Sequence, residues 1–189
     1  MLYQLLTVSS AFAETSDTEI IYGVMRGIGI KYLISEDRKL PKKNREKWED
    51  TLSDFVDFDA LNSGMKERVR SAAGSGNEND IDNDTLIILE EKAVLFLVPR
   101  ELSDYTNFYL REMDNVTKLP ACIDGLKSEG NKVFLLCEKK LGKYEIRIKF
   151  LNNSEEKLSL LFRKTDRWRL SNIESVISER MLVTIARWK

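Results

Sequence analysis

Residues 144–150 read YEIRIKF, a stretch in which apolar and charged side chains alternate at every position. A β-strand has a side-chain period of two, so its apolar side chains share one face and its charged side chains share the other. A strand of this kind is typical of an antiparallel sheet with one dry face and one wet face. The dry face must be covered by another layer of the same domain.

Similar runs rich in Val, Ile, Leu, Phe and Tyr lie on both sides of this stretch, and short polar segments separate them. This spacing is typical of consecutive strands joined by turns. The sequence therefore predicts a curved antiparallel meander of four or more strands in the C-terminal part of the chain. The predicted strands cover residues 132–138, 144–151, 157–164 and 167–173.

The first half of the chain shows apolar residues at helical spacing instead. In the first predicted helix, capped by Asp17 or Thr18, the residues Gly23, Gly27 and Gly29 indicate a face that another element approaches closely. In the third, Lys66 to Arg70 carries a basic cluster that we interpret as a solvated face. The predicted helices cover residues 18–34, 45–55, 59–73, 85–98, 99–113 and 178–188. For residues 85–98 the alternative is two short strands that turn at residues 90–92, and for residues 178–188 it is a last strand.

These patterns predict an α+β fold in which N-terminal helices pack on the antiparallel sheet. Residues 14–73 form the helical segment, residues 74–84 an acidic Gly/Ser linker, and residues 85–189 further helices plus the sheet. We expect the parts on both sides of the linker to form one compact domain.

The composition narrows the possible functions. The 189 residues are 42% hydrophobic and 32% charged, with a formal net charge of -1, so no overall positive field favours nucleic acid. The chain contains no histidine. The common general base of hydrolases and the commonest zinc ligand are therefore missing, and we predict no catalytic residue.

The first thirteen residues resemble the end of a secretory signal. An apolar run from Leu2 to Val8 leads to small residues at Ala11 and Ala13, which predicts cleavage after Ala13 and a periplasmic or secreted protein. The alternative is a buried first helix, which would make the chain a cytosolic interaction or inhibitor protein. No other stretch reaches the roughly 18 apolar residues of a membrane span, so we expect none in the mature chain.

Cys122 and Cys137 are the two cysteines of the chain. Their spacing fits neither a redox motif nor a metal knuckle. In an oxidising compartment they could form a disulfide between neighbouring segments, whereas in a cytosol they would be two small core residues.

Residues 160–173, LLFRKTDRWRLSNI, and residues 55–61, FVDFDAL, followed by a charged helix, resemble segments of the nuclear-transport-factor-like α+β cone and its small bacterial envelope members. The resemblance covers residues 45–73 and 130–175. It implies a cone-shaped fold with a concave sheet face and a place in the bacterial envelope. It carries over no catalytic residue.

An acidic stretch precedes the predicted helix 85–98. Asp80, Asp82, Asp84 and Glu91 occupy the first, third, fifth and twelfth positions of a calcium loop. However, Thr85 stands where such a loop needs a glycine, and no helix leads into it. We therefore favour a charged turn in which Asp82 or Asp84 caps the helix, and keep calcium as the alternative.

The apolar inner face of a concave sheet is a natural binding surface. The sequence predicts a non-enzymatic, exported domain that binds a protein partner or an apolar small molecule, and the candidate lining residues can equally be core residues. The alternative is an enzyme that uses Asp57, Asp59 and Tyr144 in a cone-shaped pocket. The candidate lining residues are Tyr144, Ile146, Ile148, Phe150 and Trp168.

Overall fold

The computed structural model describes residues 16–36, 48–74, 82–112, 121–122, 135–152 and 155–187. Within these ranges the helices precede the strands, except for one helix that follows the last strand. The helices are α1 (Asp17–Glu36), α2 (Trp48–Leu52), α3 (Phe58–Gly74), α4 (Asn83–Glu112) and α5 (Val176–Arg187). The strands are β1 (Leu135–Gly142), β2 (Glu145–Asn152), β3 (Glu155–Lys164) and β4 (Trp168–Ser175).

The four strands form one antiparallel sheet in the order β1-β2-β3-β4. In its middle, Ile148 of β2 lies opposite Leu160 of β3, and Leu160 lies opposite Ile173 of β4. All three side chains are buried on the same face. The predicted α+β fold with helices packed on an antiparallel sheet is therefore confirmed.

The helices cover the apolar face of this sheet. Side chains of α1, α3, α4 and α5 join those of the strands in one hydrophobic cluster. The inward face of α3 consists of Leu61, Met65 and Val69, which are all buried. The last helix begins two residues earlier than predicted, since Ser175 accepts a hydrogen bond from the amide of Ser178 and caps it.

Helix α1 begins with a capping box at Ser16, one or two residues before the predicted cap at Asp17 or Thr18. The hydroxyl of Ser16 accepts a hydrogen bond from the amide of Glu19, and the Glu19 carboxylate accepts one from the amide of Ser16. Asp17, which was expected as a cap, instead accepts a hydrogen bond from the indole N–H of Trp168 at 2.8 Å. The start of α1 is thereby joined to β4.

The second predicted helix ends at Leu52, three residues earlier than expected, and the predicted residues 45–47 lie outside the described ranges. Phe55 follows in a turn, its carbonyl accepts a hydrogen bond from the amide of Leu170, and Val56 forms a bridge with the same residue of β4. The ring of Phe55 packs over Gly27 of α1. At Gly27, α1 is thus approached closely by another segment, as the glycine pattern predicts.

We expect Gly27→Ala to destabilise the protein by about 1–3 kcal/mol, because overpacking outweighs the gain in helix propensity. A Cβ atom at residue 27 would lie 2.5 Å from the ring of Phe55, which is itself packed against the core. Gly23→Ala in the same helix is the control, because its Cβ would meet nothing within 4 Å. It should gain up to about 1 kcal/mol. Urea unfolding of both variants measures the difference, and equal gains would contradict the packing.

Residues 83–112 form one continuous helix, α4, rather than the two predicted helices. Pro99 lies inside it instead of in its first turn. A proline removes one helical hydrogen bond, here the one to the carbonyl of Leu95. The helix continues because buried residues on both sides of the proline hold it in place. These include Leu97, Val98, Leu102 and Tyr105.

Within the described ranges, no helix combines the length and the apolar character that a membrane crossing requires.

Candidate functional site

Helix α4 has two apolar faces, one buried and one exposed. Ala93 and Leu97 are buried against the rest of the domain. On the opposite side, Ile87 and Ile88 are about half exposed, at 52% and 50%, and Leu95 and Phe96 expose 66% and 65% of their surfaces. We call the last four residues the α4 stripe. Large apolar side chains exposed together on one helix are typical of interaction surfaces.

A groove between α3 and α4 adjoins this stripe. It has a volume of about 470 Å³, and Leu95 belongs to both the groove and the stripe. Its wall is polar on the α3 side and mainly apolar on the α4 side, where Glu91 adds a carboxylate. The lining residues are Asn62, Lys66, Glu91, Val94, Leu95, Val98 and Pro99.

Two arginine–glutamate pairs fix α3 against α4 and so fix the groove. Arg68 of α3 makes two hydrogen bonds, of 2.8 and 2.9 Å, to the carboxylate of Glu101. Arg70 binds Glu90 in the same bidentate way, at 2.6 and 3.0 Å. The basic cluster of α3 is thus not the simple solvated face expected from the sequence.

The Arg68–Glu101 pair is buried, with side chains 16% and 2% exposed. Burial raises the pKa of the Glu101 carboxyl, although Arg68 lowers it in part. Arg68 also reaches Glu179 of α5 at 3.4 Å, so the pair joins three helices. A buried ion pair of this kind has a structural role, because the two charges neutralise each other.

The predicted lining residues of the sheet occupy the core. Ile146, Ile148, Phe150 and Trp168 are at most 2% exposed and belong to the hydrophobic cluster. Tyr144 lies apart from them, 52% exposed in the turn between β1 and β2. None of the five residues lines the groove beside α4. A ligand on this face of the sheet stays a prediction from sequence.

The acidic stretch before α4 acts as a helix cap. The carboxylate of Asp82 accepts hydrogen bonds from the amide and the hydroxyl of Thr85, at 2.9 and 2.7 Å, which lower its pKa. Capping by Asp82 is therefore confirmed. Asp84 and Glu91 lie exposed in the helix, and Asp80 lies outside the described residues. In the described part of the chain, no three acidic or cysteine side chains form a group that could hold a metal ion.

The polar groups considered for an enzyme have other roles. The Asp57 carboxylate accepts a hydrogen bond from the amide of Ala60 at 3.0 Å and caps α3. Asp59 is exposed in the first turn of the same helix, and Tyr144 lies in the β1–β2 turn. The arrangement of these three residues offers no acid–base pair in a closed pocket.

Cys122 and Cys137 form a disulfide, with their Cα atoms 4.9 Å apart. The amide of Cys122 also donates a hydrogen bond to the carbonyl of Glu138, and Ala121 forms a parallel bridge with Glu138. Residues 121–122 are therefore attached to the outer edge of β1.

A partly exposed polar anchor joins α1 to the β3–β4 hairpin. The carboxylate of Asp17 accepts hydrogen bonds from the indole of Trp168 and, at 3.2 Å, from the ammonium group of Lys164. The hydrogen bond from Trp168, followed by the contact with Lys164, lowers the pKa of Asp17. A carboxyl with a lowered pKa stabilises the fold above its unfolded pKa of about 4, and this contribution is lost as the pH falls through the folded value.

We expect Asp17→Asn to reduce the free energy of unfolding by about 1 kcal/mol at pH 7, because a neutral amide replaces a charged acceptor. The loss should begin to shrink below about pH 4, where the carboxyl of the unfolded chain takes up its proton, and disappear once the pH has passed the lowered pKa of the folded protein. Urea unfolding between pH 3 and pH 7 measures both effects. Asp59→Asn, at an exposed position in the first turn of α3, is the control. A loss that does not change with pH would contradict the ionic anchor.

A second cavity of about 520 Å³ lies where β3, β4 and α5 meet. Five of its eight lining residues are charged, and they carry both signs. The lining residues are Glu156, Lys157, Glu174, Ser175, Val176, Glu179, Arg180 and Thr184.

Comparisons of the chain with models of protein families, with curated proteins and with solved structures find no match. The arrangement of side chains therefore carries the functional argument. Sequence reasoning missed the α4 stripe and the Arg68–Glu101 pair. The signal for the stripe was present, since residues 85–98 are apolar on all sides, which a helix with a single buried face does not need.

Proposed function

We propose that this chain is a non-enzymatic protein-interaction domain whose binding surface is the α4 stripe with the adjoining groove. The observation that carries the proposal is the exposure of four large apolar side chains on one helix of an otherwise well-packed domain. Together they expose on the order of 500 Å² of apolar surface, a patch size that is often functional in monomeric proteins.

The shapes of the groove and the stripe favour binding of a protein rather than of a small molecule. A drug-sized ligand needs a deep pocket that buries most of its surface. The groove is only partly enclosed, and the stripe itself is a convex helix face. Such a face fits a helix or a flat apolar patch of another protein.

Rigid placement of α4 favours the same function. The two arginine–glutamate pairs and the buried residues of α4 hold the helix on the domain before any partner binds. A preorganised surface loses little conformational entropy on association. The stripe is therefore suited to binding without rearrangement.

Export from the cytosol is part of the proposal. The disulfide between Cys122 and Cys137 supports it, because structural disulfides persist mainly in oxidising compartments. N-terminal sequencing of the protein from its native host tests export. A chain that begins at Glu14 agrees with it, and a chain that retains residues 1–13 contradicts it. We also propose, from the resemblance of the sequence alone, that the chain is related to the nuclear-transport-factor-like envelope proteins.

Site-specific photo-crosslinking tests the interaction surface. A photoreactive amino acid replaces Leu95 in the stripe or, as a control, Leu141, which is 44% exposed on β1. We expect a discrete protein adduct from position 95, which Ile88→Asp abolishes, and none from position 141. If position 95 gives no adduct, or gives one that Ile88→Asp leaves unchanged, the stripe is not a binding surface.

A further inference from the structure

We infer that the disulfide between Cys122 and Cys137 is a redox-sensitive switch that controls whether the outer edge of the sheet at β1 is covered. While the bond is intact, Ala121 and Cys122, which we call the strap, lie along β1. Once the bond is reduced, the strap leaves β1 and the edge is open. This inference does not depend on the α4 stripe, because the strap lies on a different part of the fold.

Strand β1 is an edge strand of the sheet, since the strand order is β1-β2-β3-β4. Along an edge strand, every second residue directs its backbone N–H and C=O away from the neighbouring strand. In β1 the carbonyl of Glu138 is such a group, and it accepts a hydrogen bond from the amide of Cys122 at 2.8 Å. Unpaired groups on a strand edge readily pair with another strand, so the strap shields this one.

The opposite edge, at β4, is covered without a covalent bond. Val56 forms a parallel bridge with Leu170, and the amide of Leu170 donates a hydrogen bond to the carbonyl of Phe55. The amide of Asp57 donates a further hydrogen bond to the carbonyl of Leu170. Val56 is also buried in the hydrophobic cluster. Hydrogen bonds and burial together therefore hold the chain on the β4 edge.

The strap has much less to hold it on β1. Ala121 is exposed and Cys122 is partly exposed, and neither belongs to the hydrophobic cluster. Among the described residues, its backbone contact with β1 is the bridge and hydrogen bond to Glu138. Ordering the backbone of two residues costs more free energy than one backbone hydrogen bond returns in water. The disulfide therefore supplies most of the free energy that keeps the strap in place.

The opening step is a thiol–disulfide exchange with a dithiol reductant. A thiolate of the reductant attacks the Sγ of Cys122, because Cys137 is buried, and the Sγ–Sγ bond breaks. Cys137 leaves as a thiolate and takes up a proton. The second thiol of the reductant then attacks the mixed disulfide, which releases Cys122 as a thiol and closes a disulfide within the reductant. The edge is thus covered in an oxidising compartment and open in a reducing one.

Amide hydrogen exchange followed by NMR tests the switch on the full chain. After reduction with dithiothreitol, the amide of Cys122 should exchange roughly 100-fold faster than in the oxidised protein, as expected when a bond that closes a loop of this length is lost. The two cysteines are 15 residues apart in sequence. The amide of Leu170 at the opposite edge is the control, and it should exchange at the same rate in both samples.

The variant Cys122→Ser removes the bond without a reductant. The amide of residue 122 should then exchange as fast as in the reduced wild type, and dithiothreitol should not change its rate. Slow exchange at residue 122 in the reduced protein or in the variant would overturn the inference. Fast exchange at Leu170 would overturn it as well, because reduction would then unfold the sheet. So would a disulfide that dithiothreitol fails to cleave in the folded chain.

Discussion

Replacing Arg68 by methionine is expected to lower the free energy of unfolding by about 3–5 kcal/mol at neutral pH. The substitution leaves the carboxylate of Glu101, whose side chain is 2% exposed, buried without its counter-charge. Methionine keeps most of the side-chain volume, so the loss reports the missing charge rather than a cavity. Urea unfolding at pH 7 measures it. Arg163→Met is the control, because Arg163 and Glu145 are 53% and 40% exposed, and it should cost less than about 1 kcal/mol.

The pH dependence of this variant has a defined sign. Burial already raises the pKa of Glu101 in the folded protein, and removal of Arg68 raises it further. Among the other charges of the network, Glu179 of α5 acts in the same direction. A carboxyl with a raised pKa binds its proton more tightly in the fold, so the Arg68→Met variant should regain stability as the pH falls from 7 towards 5.

A double variant, Arg68→Met/Glu101→Leu, completes this test. It removes both buried charges and should recover most of the stability lost in the single variant. A loss below about 1 kcal/mol in Arg68→Met, independent of pH, would contradict the buried pair.

The sheet was predictable because its signal is local. The alternation in residues 144–150 fixes which side chains of β2 are buried, and the polar segments between the runs mark its turns. All four predicted strands lie within a few residues of β1 to β4. The largest difference is in β1, which continues through the polar residues Lys139 and Lys140 to Gly142 because β2 supplies hydrogen-bonding partners.

Helix α4 could not be predicted from local pattern alone. Pro99 normally ends or begins a helix, and its position led to the prediction of two helices. In the structure, burial on both sides of the proline outweighs the lost hydrogen bond. The hydroxyl of Tyr32 in α1 also donates a hydrogen bond to the carbonyl of Pro99 at 3.4 Å. These contacts join residues far apart in sequence, so no local rule contains them.

The candidate site was missed for a related reason. In residues 85–98 large apolar side chains occur on both the exposed and the buried face, and only the positions of α3 and the sheet decide which face of α4 is covered. The partner of Arg68 is 33 residues away in sequence. By contrast, the cap at Asp82 was predictable, since its hydrogen bonds stay within three residues.

The most direct test of the central claim, that α4 turns one apolar face into the core and the other outwards, compares two leucines of this helix. Leu97 is 1% exposed and Leu95 is 66% exposed. In urea unfolding of dilute, monomeric protein, Leu97→Ala should lose about 2–5 kcal/mol and Leu95→Ala less than about 0.5 kcal/mol. Similar losses at both positions would mean that Leu95 belongs to the core, and the proposed interaction surface would not exist.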